Sequence, residues 1–313
     1  TSACSMLHCS MLYCSMRMLA VSSELSLMGH WLRLGNLELL VVSDGVVRQD
    51  AGAVFGLTPR VMWEPYVPDL DDTYRLPMGL NSLVVRSGGK TVLVETGVGT
   101  KAGRTPGAAG TDTAGALIEN LAREGIRPQD VDVVVNTHLH FDHAGGNTVL
   151  ADGKPAPAFP RARYLIPKGE WAAASSPNER TRATYLAENF EPLEDARQVE
   201  LVEGDAEVIK GLRLVPAPGH TADHCIVEAD SGGELAIYVG ELAQHPVMLE
   251  RVAWISAFDV LPLVSLETKK RVIERALERR ALIVSVHAPY PGLGRLRLED
   301  SKRRWEPLSG EGL

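Results

Sequence analysis

The order of elements along the chain predicts an α/β protein built from two sheets covered by helices. Three observations carry this: an opening run of strand-like segments, a buried strand at 131–135 set between two helical patterns, and a second run of strands over 198–240 that again leads to a helix and a strand. The first hairpin is Leu32-Arg33-Leu34 and Leu37-Glu38-Leu39 around the Gly35-Asn36 turn. Residues 46–80 lose periodicity while carrying Phe55, Trp63, Tyr66 and Tyr74, which reads as a lid, a binding loop or a disordered stretch. Strands resume at 81–85 and 91–94 around Gly88-Gly89. Residues 113–124 read as a helix: Ala114, Leu117, Ile118 and Leu121 share one face, Thr111 or Thr113 can cap it, and Gly125 stops it. A second helix is expected over about 178–189. A third is expected over 267–280, where Val272, Ile273, Ala276 and Leu277 form the stripe. The strand 282–286 and a short tail close the chain.

Composition narrows the class. In 313 residues, 45% hydrophobic and 23% charged content is that of an ordinary globular protein. With no apolar run near 18 residues, no membrane span is expected, and a cytoplasmic location is the expectation. The net charge of −8 argues against a nucleic-acid partner, which calls for a basic face. Four cysteines are too few for a disulfide scaffold. Cys4, Cys9 and Cys14 recur in a Cys-Ser-Met triplet every five residues, a period of neither helix nor strand. Residues 1–30 are therefore read as a disordered or non-native leader, and 31–313 as one domain.

The chemistry concentrates in Thr137-His138-Leu139-His140-Phe141-Asp142-His143-Ala144-Gly145-Gly146, where a buried strand runs out. In an extended segment His138 and His140 point to one side and can share a metal, while a turn after them brings Asp142 and His143 to a second. Imidazole and carboxylate donors suit Zn²⁺, and also Fe, Mn or Co. The two glycines let backbone pass close behind.

This segment resembles the H-x-H-x-D-H signature of the metallo-β-lactamase superfamily. Four further segments fall in the order of that family: Val94-Glu95-Thr96-Gly97, Pro218-Gly219-His220-Thr221-Ala222-Asp223-His224, Tyr238-Val239-Gly240-Glu241, and Ser285-Val286-His287-Ala288-Pro289. Together they span about residues 32–295. The resemblance implies a four-layer αββα sandwich holding two divalent metals, zinc first among them. It assigns His138, His140 and His220 to one metal, and Asp142, His143 and His287 to the other. Glu241 would bridge the two, and Glu95 would orient a ligand histidine from behind. Glu stands at 95 and 241 where the family usually carries Asp. His224 is read as an ordinary hydrogen-bonded histidine and Cys225 as core.

The implied activity is metal-dependent hydrolysis of a small molecule by a metal-bound hydroxide. Asp142 and Glu241 are the catalytic residues, with Asp142 passing a proton to the leaving group. The look of 287–294 is similar to the acyl-homoserine lactonase and organophosphate hydrolase branch. That resemblance puts lactone or ester opening (quorum quenching) first, and phosphotriesterase or β-lactamase activity as the alternative. A non-catalytic metal-binding protein is the competing class. The aromatic stretch 46–80 is expected either to wall an acyl-chain site or to pack on its own domain. An exposed apolar lid there would also serve a homodimer.

Overall fold

The computed structural model describes residues 30–101 and 114–308. The leader reading and the Thr111/Thr113 cap lie outside the described residues, apart from His30, which opens the first strand.

The first sheet has seven strands. Four come in succession, β1 (His30–Leu34), β2 (Leu37–Asp50), β3 (Arg75–Ser87) and β4 (Lys90–Val94), and β5 (Val133–Val135) follows. After a small hairpin of β6 (Thr148–Ala151) and β7 (Lys154–Pro157), β8 (Arg163–Pro167) and β9 (Val199–Val202) complete it, in the order β1-β2-β3-β4-β5-β8-β9. The second sheet runs in sequence order: β10 (Ala206–Ile209), β11 (Leu212–Pro216), β12 (Cys225–Ser231), β13 (Glu234–Tyr238), β14 (Leu282–Val284), β15 (Leu293–Glu299) and β16 (Lys302–Pro307).

Alternation along the strands makes the layers. Leu39, Val41, Leu83, Val85, Val92, Val94, Val133 and Val135 face Leu214, Val227, Ala229, Ala236, Tyr238 and Val284 in one core between the sheets. The intervening residues Leu40, Val42, Val84, Leu93 and Val134 point the other way, onto α3 (Leu117–Arg123) through Leu117 and Leu121. On the far side Ile226, Leu235, Ile237 and Ile283 pack under α8 (Pro262–Arg279) through Val272, Ile273 and Ala276. The result is the helix–sheet–sheet–helix sandwich expected. Each side chain buried this way stabilises it by about 1.5–3 kcal/mol before entropy is charged.

Three expectations need correction. Residues 46–80 are mostly ordered strand and helix: β2 and β3 pair from Glu38↔Arg86 out to Asp50↔Arg75, with an irregularity between Ser43 and Val46. On β3 Leu76, Met78 and Leu80 point into the core, but Pro77 and Gly79 between them read as turn residues and hide the strand. Between them lie α1 (Ala51–Phe55) and α2 (Arg60–Trp63), whose Phe55 and Trp63 rings stack at 5.1 Å inside the core. The aromatic stretch thus packs on its own chain.

The helix expected at 178–189 is absent. Asn178 accepts the N–H groups of Arg180 and Thr181, a local alternative to helix hydrogen bonding. Tyr185 is drawn into an isolated bridge with His140. The helical turns around it are α4 (Phe141–Ala144), α5 (Lys168–Ser175), a 3₁₀ turn at Ala187–Asn189 and α6 (Glu191–Asp195). Lastly, the short tail is the β15–β16 hairpin, turned by Asp300 and Ser301 at φ 48° and 64°.

The glycine pair behind the site is a close approach of backbones. A Cβ on Gly145 would lie 2.1 Å from the Val98 carbonyl oxygen, and one on Gly146 2.2 Å from that of Thr96. Gly145→Ala should cost about 2–4 kcal/mol in denaturant unfolding, since rigid backbone must move. Gly125→Ala, with open space around its Cβ position but φ at 72°, should cost about 1 kcal/mol. Equal losses at the two positions would show that the close approach is not what constrains residue 145.

Candidate metal centre

β4 and β5 run parallel in one sheet, and β13 and β14 run parallel in the other. Four chain segments therefore emerge from carboxyl ends of strands: Glu95 after β4, His138 to His143 after β5, Glu241 after β13 and His287 after β14. His220 comes from the loop between β11 and β12. All seven residues expected to hold metal are brought together. His138, His140 and His220 form one group of donor atoms, and Asp142, His143, Glu241 and His287 another, with donors in each group within 4.8 Å of one another. The His138 ring lies 4.5 Å from that of His140 and 4.1 Å from that of His143, joining the two groups.

Several donors are held from their far sides. His287 Nδ1–H donates to the Gly79 carbonyl at 2.8 Å, leaving Nε2 against Glu241 Oε1. His143 Nε2 lies 3.1 Å from the same Oε1, while its Nδ1 is 3.2 Å from Glu95 Oε2. Glu95 also accepts the Thr137 N–H at 2.6 Å. It is buried at φ 66°, a conformation costly for a residue with a Cβ. Glu95 therefore stands where the sequence placed it, behind a histidine.

His224 belongs to the scaffold of Glu241. Its Nδ1–H donates to the Ala217 carbonyl at 2.9 Å, and its Nε2 accepts the Glu241 N–H at 3.0 Å. Gly240, at φ 50°, makes room, since a Cβ there would lie 2.6 Å from that nitrogen. Burial, with the His220 charge, pushes the His224 pKa down to about 3 and keeps it neutral.

Sequence reasoning missed two buried carboxylates. Glu170 accepts from Leu139 N, Tyr185 Oη and Thr221 Oγ1, tying the His138–His140 segment to the His220 loop. Asp259 Oδ1 lies 3.1 Å from His220 Nδ1. Neither falls in a recognisable motif, and an acidic residue in a mixed-polarity stretch carries no local signal of burial.

The donor set fits divalent cations. Burial and neighbouring histidines push His138 and His140 well below the ordinary imidazole range, into the neutral state a metal requires. His138 Nε2 and Glu241 Oε2 are buried without a hydrogen-bond partner. Such orphaned groups are expensive unless something binds them. Around His143, burial works against protonation, but the charges of Asp142 and Glu95 prevail and raise its pKa well above normal. That half of the site calls for positive charge.

The centre opens into a cavity of about 400 Å³, walled by Met78, Phe141, Phe258 and Val260 and by Arg180, with His140, Asp142 and Glu241 at its floor. None of Phe55, Trp63, Tyr66 or Tyr74 lines it.

A two-sheet sandwich with histidine and carboxylate donors converging at its strand ends makes a scaffold that could hold two metal ions. Residues 76–242 match the metallo-beta-lactamase superfamily, and the chain belongs to that superfamily. An N-acyl homoserine lactonase from Bacillus sp. is 28% identical over 159 residues, covering 50% of this chain and 57% of the relative. The chain thus spans little more than half the length of the curated relatives it matches. Among solved structures, AidC, a dizinc quorum-quenching lactonase in complex with a homoserine product, superposes with a TM-score of 0.77 at 21% identity, over 90% of this chain and 97% of AidC. A probable metal-dependent hydrolase from Staphylococcus aureus gives 0.76 at 23%, over 82% and 91%. These likenesses establish the fold.

The neutrality of His224 has a measurable consequence. Its folded pKa, about 3, lies below the ordinary 6.5, so between those values the unfolded chain binds a proton that the folded chain does not. Its contribution to stability is complete above pH 6.5 and is lost as pH falls toward 3, at about 1 kcal/mol per pH unit. In chelator-treated protein, His224→Gln should flatten this acid limb by one proton. An unchanged slope of unfolding free energy against pH would show that His224 is not held neutral.

Proposed function

We propose that the protein is a dinuclear metal-dependent hydrolase that opens N-acyl homoserine lactones or similar esters, with zinc as resident metal. The observation that carries this reading is the pair of adjacent donor groups at the floor of an apolar-walled cavity. The lactonase names of the curated relatives support the choice of substrate. His138, His140 and His220 would hold one ion, and Asp142, His143 and His287 the other. Glu241 would join the second group, and its Oε2 is buried without a hydrogen-bond partner. Bound ions would supply Lewis acidity, polarising a carbonyl and lowering the pKa of water toward 7.

The protein's own residues do the rest. Phe141, Phe258, Met78 and Val260 hold an acyl chain and exclude water from the scissile carbonyl. Asp142 is the one carboxylate of the second group that is not fully buried. It lines the cavity, so it can take up the proton given off by the attacking water and pass it to the alkoxide oxygen released when the ring opens.

Metal-loaded protein should release protons rapidly on addition of a long-chain acyl-homoserine lactone, and chelator-stripped protein should not. Asp142→Ala with both metals retained should lower kcat by about 10²–10⁴-fold. Full turnover in that variant would end the proton-transfer role. Absence of ring opening with two metals bound would move the assignment to phosphotriesters and β-lactams.

The finer reading includes a homodimer. Leu57 and Val61 on the α1–α2 turn and Leu263 at the start of α8 are 102%, 79% and 78% exposed, apolar surface that a second copy could cover. The α1–α2 turn abuts the segment that walls the cavity, where Ala257 N–H donates to the Ala53 carbonyl at 2.9 Å. Sedimentation should give twice the chain mass, and Leu57→Lys with Leu263→Lys should give monomer. A monomeric parent protein would refute the pairing.

A further inference from the structure

His220 is held differently from the other histidines of its group. Its Nε2 faces His140 Nδ1 at 3.0 Å, and its Nδ1 meets a carboxylate, Asp259 Oδ1, at 3.1 Å. His138, by contrast, turns its Nδ1 to a hydroxyl, Thr137 Oγ1, at 3.0 Å. Asp259 is only 5% exposed, and Gln244 Nε2 donates to the same oxygen at 3.3 Å.

The approach is built into the backbone. Val260 N–H donates to the His220 carbonyl at 3.1 Å, and Leu261 N–H to the Gly219 carbonyl at 2.9 Å. These two bonds lash the residues just after Asp259 to the His220 loop, so main chain delivers the carboxylate to the ring. The flanking residues Phe258 and Val260 line the substrate cavity.

We propose that Asp259 is the positioning residue of the first metal: it fixes the tautomer and aim of His220 and thereby sets the affinity of the His138–His140–His220 group alone. This rests on the two-metal reading above. An imidazole that donates its Nδ1–H to a carboxylate presents a more basic Nε2 in one orientation, and removing such a partner costs about 10–100-fold in metal affinity. The second group does not share Asp259. Its histidines are backed by Gly79 O and Glu95 instead.

The test is competition for cobalt(II) between a chromophoric chelator and the full chain, as wild type, Asp259→Asn and Asp259→Ala. Wild type should release two equivalents. In Asp259→Ala one equivalent should weaken by about 10–100-fold while the other holds within about threefold. Asp259→Asn keeps an acceptor for Nδ1–H but loses the charge, so it should fall between, and it serves if the alanine variant does not fold. Parallel weakening of both equivalents, together with a lower melting temperature of the chelated protein, would reduce Asp259 to a structural residue and overturn the proposal. Unchanged affinity for both would overturn it as well. A wild-type protein that takes up no metal would refute the hydrolase reading itself, and the role of Asp259 with it.

Discussion

The centre depends on one constraint: imidazoles and carboxylates that water would normally solvate are buried at the seam between two sheets, and each must be repaid locally. Moving a charged or polar group out of water costs several kcal/mol unless partners replace the lost hydrogen bonds. The fold meets part of this by setting a rigid group against the far atom of three histidines. His287 uses a backbone carbonyl on β3, His220 uses Asp259, and His143 faces the Glu95 carboxylate at the end of β4. At the centre His138 Nε2, Glu241 Oε2 and the facing pair His143 Nδ1 and Glu95 Oε2 are left without a hydrogen bond. The sandwich therefore does more than display ligands. Its two parallel strand pairs set the distance over which residues from separate halves of the chain can share one buried charge balance.

That requirement explains where the structure is rigid and where it is open. The floor is held by strand ends and by tight backbone contacts such as Gly145 against Val98. Much of the cavity wall comes instead from 180–184 and 257–260, loop segments joined by Arg180 Nη2 donating to the Ala257 carbonyl at 2.6 Å. Wall and floor meet at Phe141, between two of the donors, and at Met78, beside the Gly79 carbonyl that holds His287.

The legibility of the sequence followed the same division. The central strands at 81–94 and 131–135 were legible as short runs of aliphatic and β-branched residues between turn signals, because each has one face on the inter-sheet core and one on the helices. The donor residues were legible because histidines are rare and their spacing in a short segment reflects chain geometry directly. Glu170 and Asp259 were not legible, since their partners lie 31 and 39 residues away and nothing local distinguishes a buried acid from a solvated one. Residues 46–80 were misread for a related reason. Pro77 and Gly79 break the apolar alternation of Leu76, Met78 and Leu80, and the interruption by α1 and α2 is set by Phe55 meeting Trp254, 199 positions along the chain. The turn-rich 178–189 stretch has helical composition, but Tyr185 is worth more to the fold as a ring 4.9 Å from His140 than as part of a helix.

The two glutamates that depart from the usual aspartates become intelligible together. Glu95 and Glu241 address the same imidazole from opposite ends: Glu95 Oε2 stands 3.2 Å from His143 Nδ1, and Glu241 Oε1 3.1 Å from His143 Nε2. A carboxylate one methylene longer reaches about 1.5 Å further, and both are brought to the ring from unusual backbone: Glu95 lies in the left-handed region at φ 66°, and Glu241 follows Gly240 at φ 50°. His224, held neutral, anchors the Glu241 N–H from behind. The two carboxylates thus bracket His143, and the donors of the second group lie within 4.8 Å of one another around it.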